Sequence, residues 1–284
     1  MKKILFATDY SESAVAAFRT ASLLASKLKA ELHVLHVFEM TVSYMSTLSL
    51  SYAQKETKLV VENRDKLKRF CDEYKTAGIT VATSNLHLEE SSIASAGILK
   101  VADEVNAEII IVGMHKGNRF REFFVGSTAT NLIKKSPYPV LAIPEEFRLE
   151  ELKSFVYATD FEETDLKAIK IVAEIAQVLK IPIKLVHIST EKEYAGQQQM
   201  EWFEEMLKEV VTYSNISFEL VLSNDIHDAL KLYLRNVDNA ILVMLERENS
   251  VKLASLWQLD MVERMKLEKI LPLLSFRKES LDKT

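Results

Sequence analysis

With 284 residues, 48% apolar and 27% charged, the chain has a globular composition and the length of about two domains. A net charge of −5 argues against nucleic-acid binding, and Cys71, the only cysteine, excludes an intrachain disulfide or a cysteine metal cluster, so a reducing cytoplasm is expected. No apolar run approaches the roughly 18 residues that span a bilayer, and Asp9 breaks the first run too early for a signal peptide, so no membrane is expected as a partner.

In chain order, residues 3–8 read as a buried strand. Ala14, Ala17, Phe18, Ala21, Leu24, Ala25 and Leu28 follow at three- and four-residue spacing, the stripe of a helix. A strand over 32–37, a helix over about 50–74, a strand over 79–87, a helix over 93–105 and a strand over 108–112 come next. A loop over 113–125 leads to a helix from Ser127 and a short strand over 139–143. The second half repeats the order: a strand at 155–159, a helix carrying Ala168, Ile169, Val172, Ile175, Ala176 and Leu179, then a strand at 183–188. A helix over 202–213, a strand over 216–222, a helix over 226–236 and a strand over 240–245 follow. A helix over about 256–269 and a strand over 272–276 complete it, and the polar tail from Arg277 is expected to fray.

This alternation predicts an α/β protein with parallel sheets covered by helices. It is also a repeat. Phe6-Ala7-Thr8-Asp9-Tyr10 returns as Tyr157-Ala158-Thr159-Asp160-Phe161, 151 positions later, and His36 returns as His187 at the same offset. The pattern predicts two tandem Rossmann-like domains, residues 1–146 and 152–277, joined by a short charged linker that favours packed neighbours.

Ligands of open parallel sheets bind beyond the carboxyl ends of the strands. Ala7, Thr8 and Asp9, then Val37, then the loop after Val112 should converge there. Gly126, Ser127 and Thr128 open a helix whose N-terminus suits phosphate, and Gly113 would admit a ligand close to the backbone. Asp9 is equally a turn or cap residue, since Asp160 persists in the second half. His36 and His187 read as strand-end hydrogen-bonding residues. His115 sits in the loop, and Lys116, Arg119 and Arg121 are either phosphate contacts or solvated charges. Met40, Tyr44, Met45 and Tyr52 cover the cleft or an interface, or fill core. Trp202 and Phe203 read as core, and Cys71 as incidental.

On these residues the chain resembles the universal stress protein family. Gly113-Met114-His115-Lys116, the nine residues from Gly117 to Val125, and Gly126-Ser127 match its glycine-loop spacing. Thr8-Asp9, Leu35-His36-Val37 and the run from Lys135 to Leu141 match its other marks, and as a tandem pair the likeness covers essentially the whole chain. The resemblance implies two five-stranded sheets of order 3-2-1-4-5, paired through their last strands at 140–143 and 273–276, with a further homodimer open. It implies ATP or a related adenine nucleotide, with accompanying magnesium, in the N-terminal domain alone. Asp9 and Val37 would hold adenine and ribose, and the region of Gly113, Gly126 and Ser127 the phosphates. The family's second glycine falls at Lys116, with Gly117 one place later: the lysine either meets a phosphate or blocks the approach.

The second half has no glycine after Gly196, and Glu246, Glu248 and Trp257 are expected to repel or displace a phosphate there. No Walker loop, His-Glu-x-x-His or Gly-x-Ser-x-Gly is present, so slow incidental ATP hydrolysis is the most that is expected. Three readings stay open: a nucleotide-dependent stress sensor or switch, a stress-linked scaffold that binds no nucleotide, and an adenine-nucleotide enzyme.

Overall fold

The computed structural model describes residues 2–39, 50–76, 80–114, 126–189, 196–246 and 271–281. The first strand, β1 (Lys3–Thr8), is buried on both faces, as a central parallel strand must be. The chain continues through α1 (Glu12–Leu28), β2 (Glu31–Phe38), α2 (Leu50–Tyr74), β3 (Leu86–Glu90), α3 (Ala94–Val105), β4 (Ile109–Met114), α4 (Ser127–Lys135) and β5 (Val140–Pro144). The second half supplies β6 (Ser154–Ala158), α5 (Glu163–Leu179), β7 (Ile183–Ser189), α6 (Gly196–Val210), β8 (Ile216–Leu222), α7 (Ile226–Arg235), β9 (Ala240–Glu246), β10 (Leu273–Arg277) and α8 (Lys278–Leu281).

The strands lie in the order β3-β2-β1-β4-β5-β10-β9-β6-β7-β8. Each half is therefore the expected parallel 3-2-1-4-5 sheet. The two join where β5 and β10 run antiparallel, with Leu273 opposite Ala142, Leu274 opposite Leu141 and Ser275 opposite Val140. One sheet of ten strands results. On one face a continuous apolar core under α1, α2, α5 and α6 runs across both halves, from Phe6 and Phe18 to Tyr157 and Phe276. On the other face two separate cores lie under α3 with α4, and under α7.

The two first helices show why the halves look alike. Ser11 caps α1 by accepting the Ala14 N–H, and a capping box between Glu162 and Asp165 starts α5. Both helices span 17 residues and end on a left-handed lysine, Lys29 at φ 53° and Lys180 at φ 59°.

Four expectations need correction. The third strand was expected at 79–87 but forms at Leu86–Glu90, after a 3₁₀ turn at Thr83–Asn85. Its partner decides this: Val34 to Phe38 of β2 pair with Leu86 to Glu90, and Lys100 holds Glu89 at 2.7 Å. Helix α6 occupies Gly196–Val210 rather than 202–213, and Tyr213 lies beyond it, donating its hydroxyl to the Ile181 carbonyl. Phe203 is fully buried, but Trp202 is 53% exposed, because neighbours on a helix point about 100° apart. The tail does not simply fray, since α8 docks Leu281 into the large core. Met40, Tyr44, Met45, the side chain of Tyr52, and the helix expected at 256–269 lie outside the described residues.

Candidate functional site

At the carboxyl end of the first half, strand ends and helix starts enclose a cleft of ≈ 270 Å³. Ala7, Thr8 and Asp9 from the end of β1, Val37 from β2, and Val112 and Gly113 from β4 line it. Ala94 and Ile98 of α3 and Gly126, Ser127, Thr128 and Ala129 at the start of α4 complete it. Eight of the eleven residues singled out from sequence thus meet in one place; His115, Lys116 and Gly117 lie outside the described residues, with Arg119 and Arg121.

The turn leaving β1 is shaped by its own side chains. Thr8 Oγ1 accepts the Tyr10 N–H at 2.9 Å, and Asp9 Oδ1 accepts the Ser11 N–H at 3.0 Å. Tyr10 adopts φ 67° there. His36 Nδ1 donates to the Thr8 carbonyl at 2.9 Å, and its ring packs at a tilt against Tyr10 with centroids 4.4 Å apart. The second half repeats the device: Thr159 Oγ1 accepts the Phe161 N–H, Phe161 has φ 60°, and His187 donates to the Thr159 carbonyl at 2.8 Å. Both histidines are therefore strand-end hydrogen-bonding residues. Burial holds the His36 imidazole below its ordinary value, with Lys66 adding to the effect and the Thr8 carbonyl and Asp9 opposing it.

Gly113 has a reason that sequence reasoning missed. A Cβ there would lie 2.6 Å from Ser13 Oγ, 2.7 Å from the Ser13 carbonyl carbon and 2.8 Å from the Ala14 nitrogen. The glycine lets the first turn of α1 rest on β4, with or without a ligand. Gly97 similarly lets α3 approach β2, its missing Cβ falling 3.0 Å from Val37 Cγ1.

The chemistry on offer is mixed. Val37, Ala94, Ile98 and Val112 form an apolar wall. Beside this wall, α4 begins at a glycine N-cap with no side-chain cap, and α3 begins at Ile93 likewise uncapped. Their first-turn N–H groups lack helical acceptors and carry the positive end of the helix dipole. Asp9 is the only carboxylate among the described lining residues. Among the described residues no group of three or more His, Cys, Asp or Glu is placed to hold a metal ion.

The register locates the counterpart in the second half. Ala7 pairs with Val112 and Ala158 with Met244, so Leu245 stands where Gly113 does. Ser91 and Ser223 make the same turn before α3 and α7, which matches Ala94 to Ile226 and Ile98 to Leu230. Ile188 replaces Val37. Four wall positions thus carry a larger side chain, with Met244 in place of Val112 as the fourth, while Ala158, Thr159 and Asp160 repeat Ala7, Thr8 and Asp9. The α7 N-terminus is already capped by Asp225, which accepts the Asp228 N–H at 2.9 Å. Glu246 ends β9 beside its register partner Arg277, and burial raises its carboxyl while Arg277 and Lys134 pull it down. Glu248 and Trp257 lie outside the described residues.

The profile of the universal stress protein family matches residues 1–144, just over half of the chain. The chain belongs to the universal stress protein family. A universal stress protein of Methanocaldococcus jannaschii is 31% identical over 157 residues, covering 50% of this chain and 94% of that one. One from Mycobacterium tuberculosis is 39% identical over 54 residues, 19% of this chain and 18% of its own length. The crystal structure of a universal stress protein from Archaeoglobus fulgidus covers 97% of this chain and 98% of its own, with a TM-score of 0.66 at 16% identity. That likeness concerns the fold, and it extends over both halves.

Ala94, Ile98, Val112 and Ala129 of the cleft were not anticipated. The signal for the α3 pair was available: the helix after the third strand also starts at the carboxyl edge of the sheet.

Proposed function

We propose that this universal stress protein binds ATP or a related adenine nucleotide in the N-terminal cleft and acts as a cytoplasmic, non-catalytic sensor or switch. One domain over 1–146 would carry the site, and one over 152–277 would have filled its own. The carrying observation is the convergence of residues from widely separated segments on one cleft with an apolar wall and an uncapped helix start. The apolar wall suits the face of a base, the α4 amides with the Ser127 and Thr128 hydroxyls suit phosphate oxygens, and Asp9 suits a ribose hydroxyl. Magnesium ordinarily takes one or two carboxylates plus substrate phosphates. Among the described lining residues Asp9 supplies the carboxylate, and the nucleotide's own phosphates would supply the rest.

Equilibrium dialysis with labelled ATP tests the proposal on the wild type and on Gly126→Asp. Aspartate is a favoured N-cap, so the variant should fold while its carboxylate occupies the α4 amides and repels phosphate. Saturable binding by the wild type, weakened about tenfold or more by Gly126→Asp, is expected, a loss on the order of 1.4 kcal/mol. Absence of saturable wild-type binding would sink the sensor reading and leave the scaffold. Rapid phosphate release lost in the same variant would replace it with an enzyme.

A further inference from the structure

Helix α4 touches more than the cleft. Its nine residues span about 14 Å. At one end Gly126 to Ala129 line the cleft. Near the other end Ile133 packs against two cores at once, the one under α3 and α4 with Met114 and Ala129, and the second half's core with Val156, Leu242 and Leu273. At the last turn Arg277, the final residue of β10, donates from Nη1 to the Lys134 carbonyl. That carbonyl is one of the terminal set without a partner inside the helix, and a guanidinium beside it faces the negative end of the dipole.

Resting on the nucleotide reading above, we propose that α4 is the coupling element through which the second half senses cleft occupancy. A helix this short is marginal by itself, so its order depends on what anchors its two ends. One anchor is a ligand's phosphate at the N-terminus; the other is Arg277 with the apolar seat of Ile133. The two states are α4 docked at both ends and α4 frayed from the second half. Each anchor favours the docked state, so each strengthens the other, and the effect runs both ways. The filled-in second half thereby reads the occupancy of a site that it no longer contains.

Hydrogen exchange by mass spectrometry on the full-length protein, with Arg277→Gln and Arg277→Lys, tests this without and with ATP. Without nucleotide, Arg277→Gln should speed exchange across 127–135, including its first turn at the cleft, and Arg277→Lys should do so less. With ATP on the wild type, exchange across 272–277 should slow. Arg277→Gln should weaken ATP about two- to fivefold, the range of one helix-end charge, and leave adenosine unchanged. Unaltered α4 exchange in Arg277→Gln overturns the coupling whatever ATP does. ATP bound equally by wild type and Arg277→Gln, with 272–277 unaffected, also overturns it while the nucleotide reading stands. If the wild type binds no ATP, that reading falls, and the ligand-free arm still decides whether Arg277 governs the far end of α4.

Discussion

Replacing Gly113 with alanine separates a glycine needed for packing from one needed for a ligand. The new Cβ would sit 2.6–2.8 Å from Ser13 and Ala14, and two of the three atoms it meets are backbone of the α1 first turn. That turn is held by the Ser11 cap and the buried Ser13 and Ala14, so it cannot shift without disturbing the core. Overpacking costs about 1–3 kcal/mol, and the stiffer unfolded chain returns about 0.4–1 kcal/mol. Because two of the contacts are backbone, the cost falls in the upper part of that range, about 2–3 kcal/mol, and the net is a destabilisation of about 1–2.6 kcal/mol. At roughly 2–4 °C per kcal/mol for a protein of this size class, the melting temperature should fall by about 2–10 °C. Gly97→Ala is the internal comparison, because the three atoms nearest its Cβ would be side-chain atoms of Val37, Ser91 and Glu89 at 3.0–3.2 Å. Urea titrations and thermal melts without nucleotide should show Gly113→Ala well below wild type and Gly97→Ala close to it. A Gly113→Ala protein as stable as wild type but defective in ATP binding would refute the packing argument and return the glycine to the ligand.

Two further outcomes follow from buried polar groups. His33 Nδ1 and His87 Nε2 lie 2.9 Å apart, one ring donating and the other accepting, with Glu31, Lys3, Arg64 and Glu104 acting on the pair. Burial chiefly holds both below the ordinary 6.5, so the unfolded chain takes up protons that the folded one resists. Stability should be flat above neutral pH and fall as pH drops below about 6.5, less steeply in His87→Gln; urea midpoints that do not move between about pH 7.5 and 5.5 would contradict this. In the second half, the fully buried Asp165 accepts the Tyr157 and Thr159 hydroxyls at 2.9 and 2.8 Å and the N–H groups of Asp160 and Glu162. Asp165→Asn turns an amide donor toward one of these donors and should cost about 1.5–3 kcal/mol, read by urea denaturation; a loss below about 0.5 kcal/mol would mean the carboxylate is not anchoring α5.

The positions that were legible in the sequence obey local rules. Apolar runs such as Ile4 to Phe6 and the helix stripes with 3.6-residue spacing placed most elements, and the 151-residue repeat placed the division between halves. Eight cleft residues were legible because strand ends and helix starts have fixed places in a parallel sheet. What escaped depended on partners distant in sequence. The extent of β3 is set by β2, the exposure of Trp202 by which face of α6 meets the sheet, and the need for Gly113 by a turn about a hundred residues earlier. The expected loss of the second site rested on Glu246, Glu248 and Trp257, whereas Ile226, Ile188 and Leu245 look ordinary until the register places them at the positions of Ala94, Val37 and Gly113.

The antiparallel seam between β5 and β10 has a consequence for how such a chain can diverge. In a two-fold pair of identical subunits every substitution appears twice, on both sides of a self-complementary contact. Here Ser275 faces Val140 and Leu273 faces Ala142, so each side of the seam is encoded separately. A change that fills one cleft leaves the other open, and a change at the junction is met once rather than doubled. Covalent fusion thus freed one half from the chemistry of the other while hydrogen bonds still bind them into a single sheet.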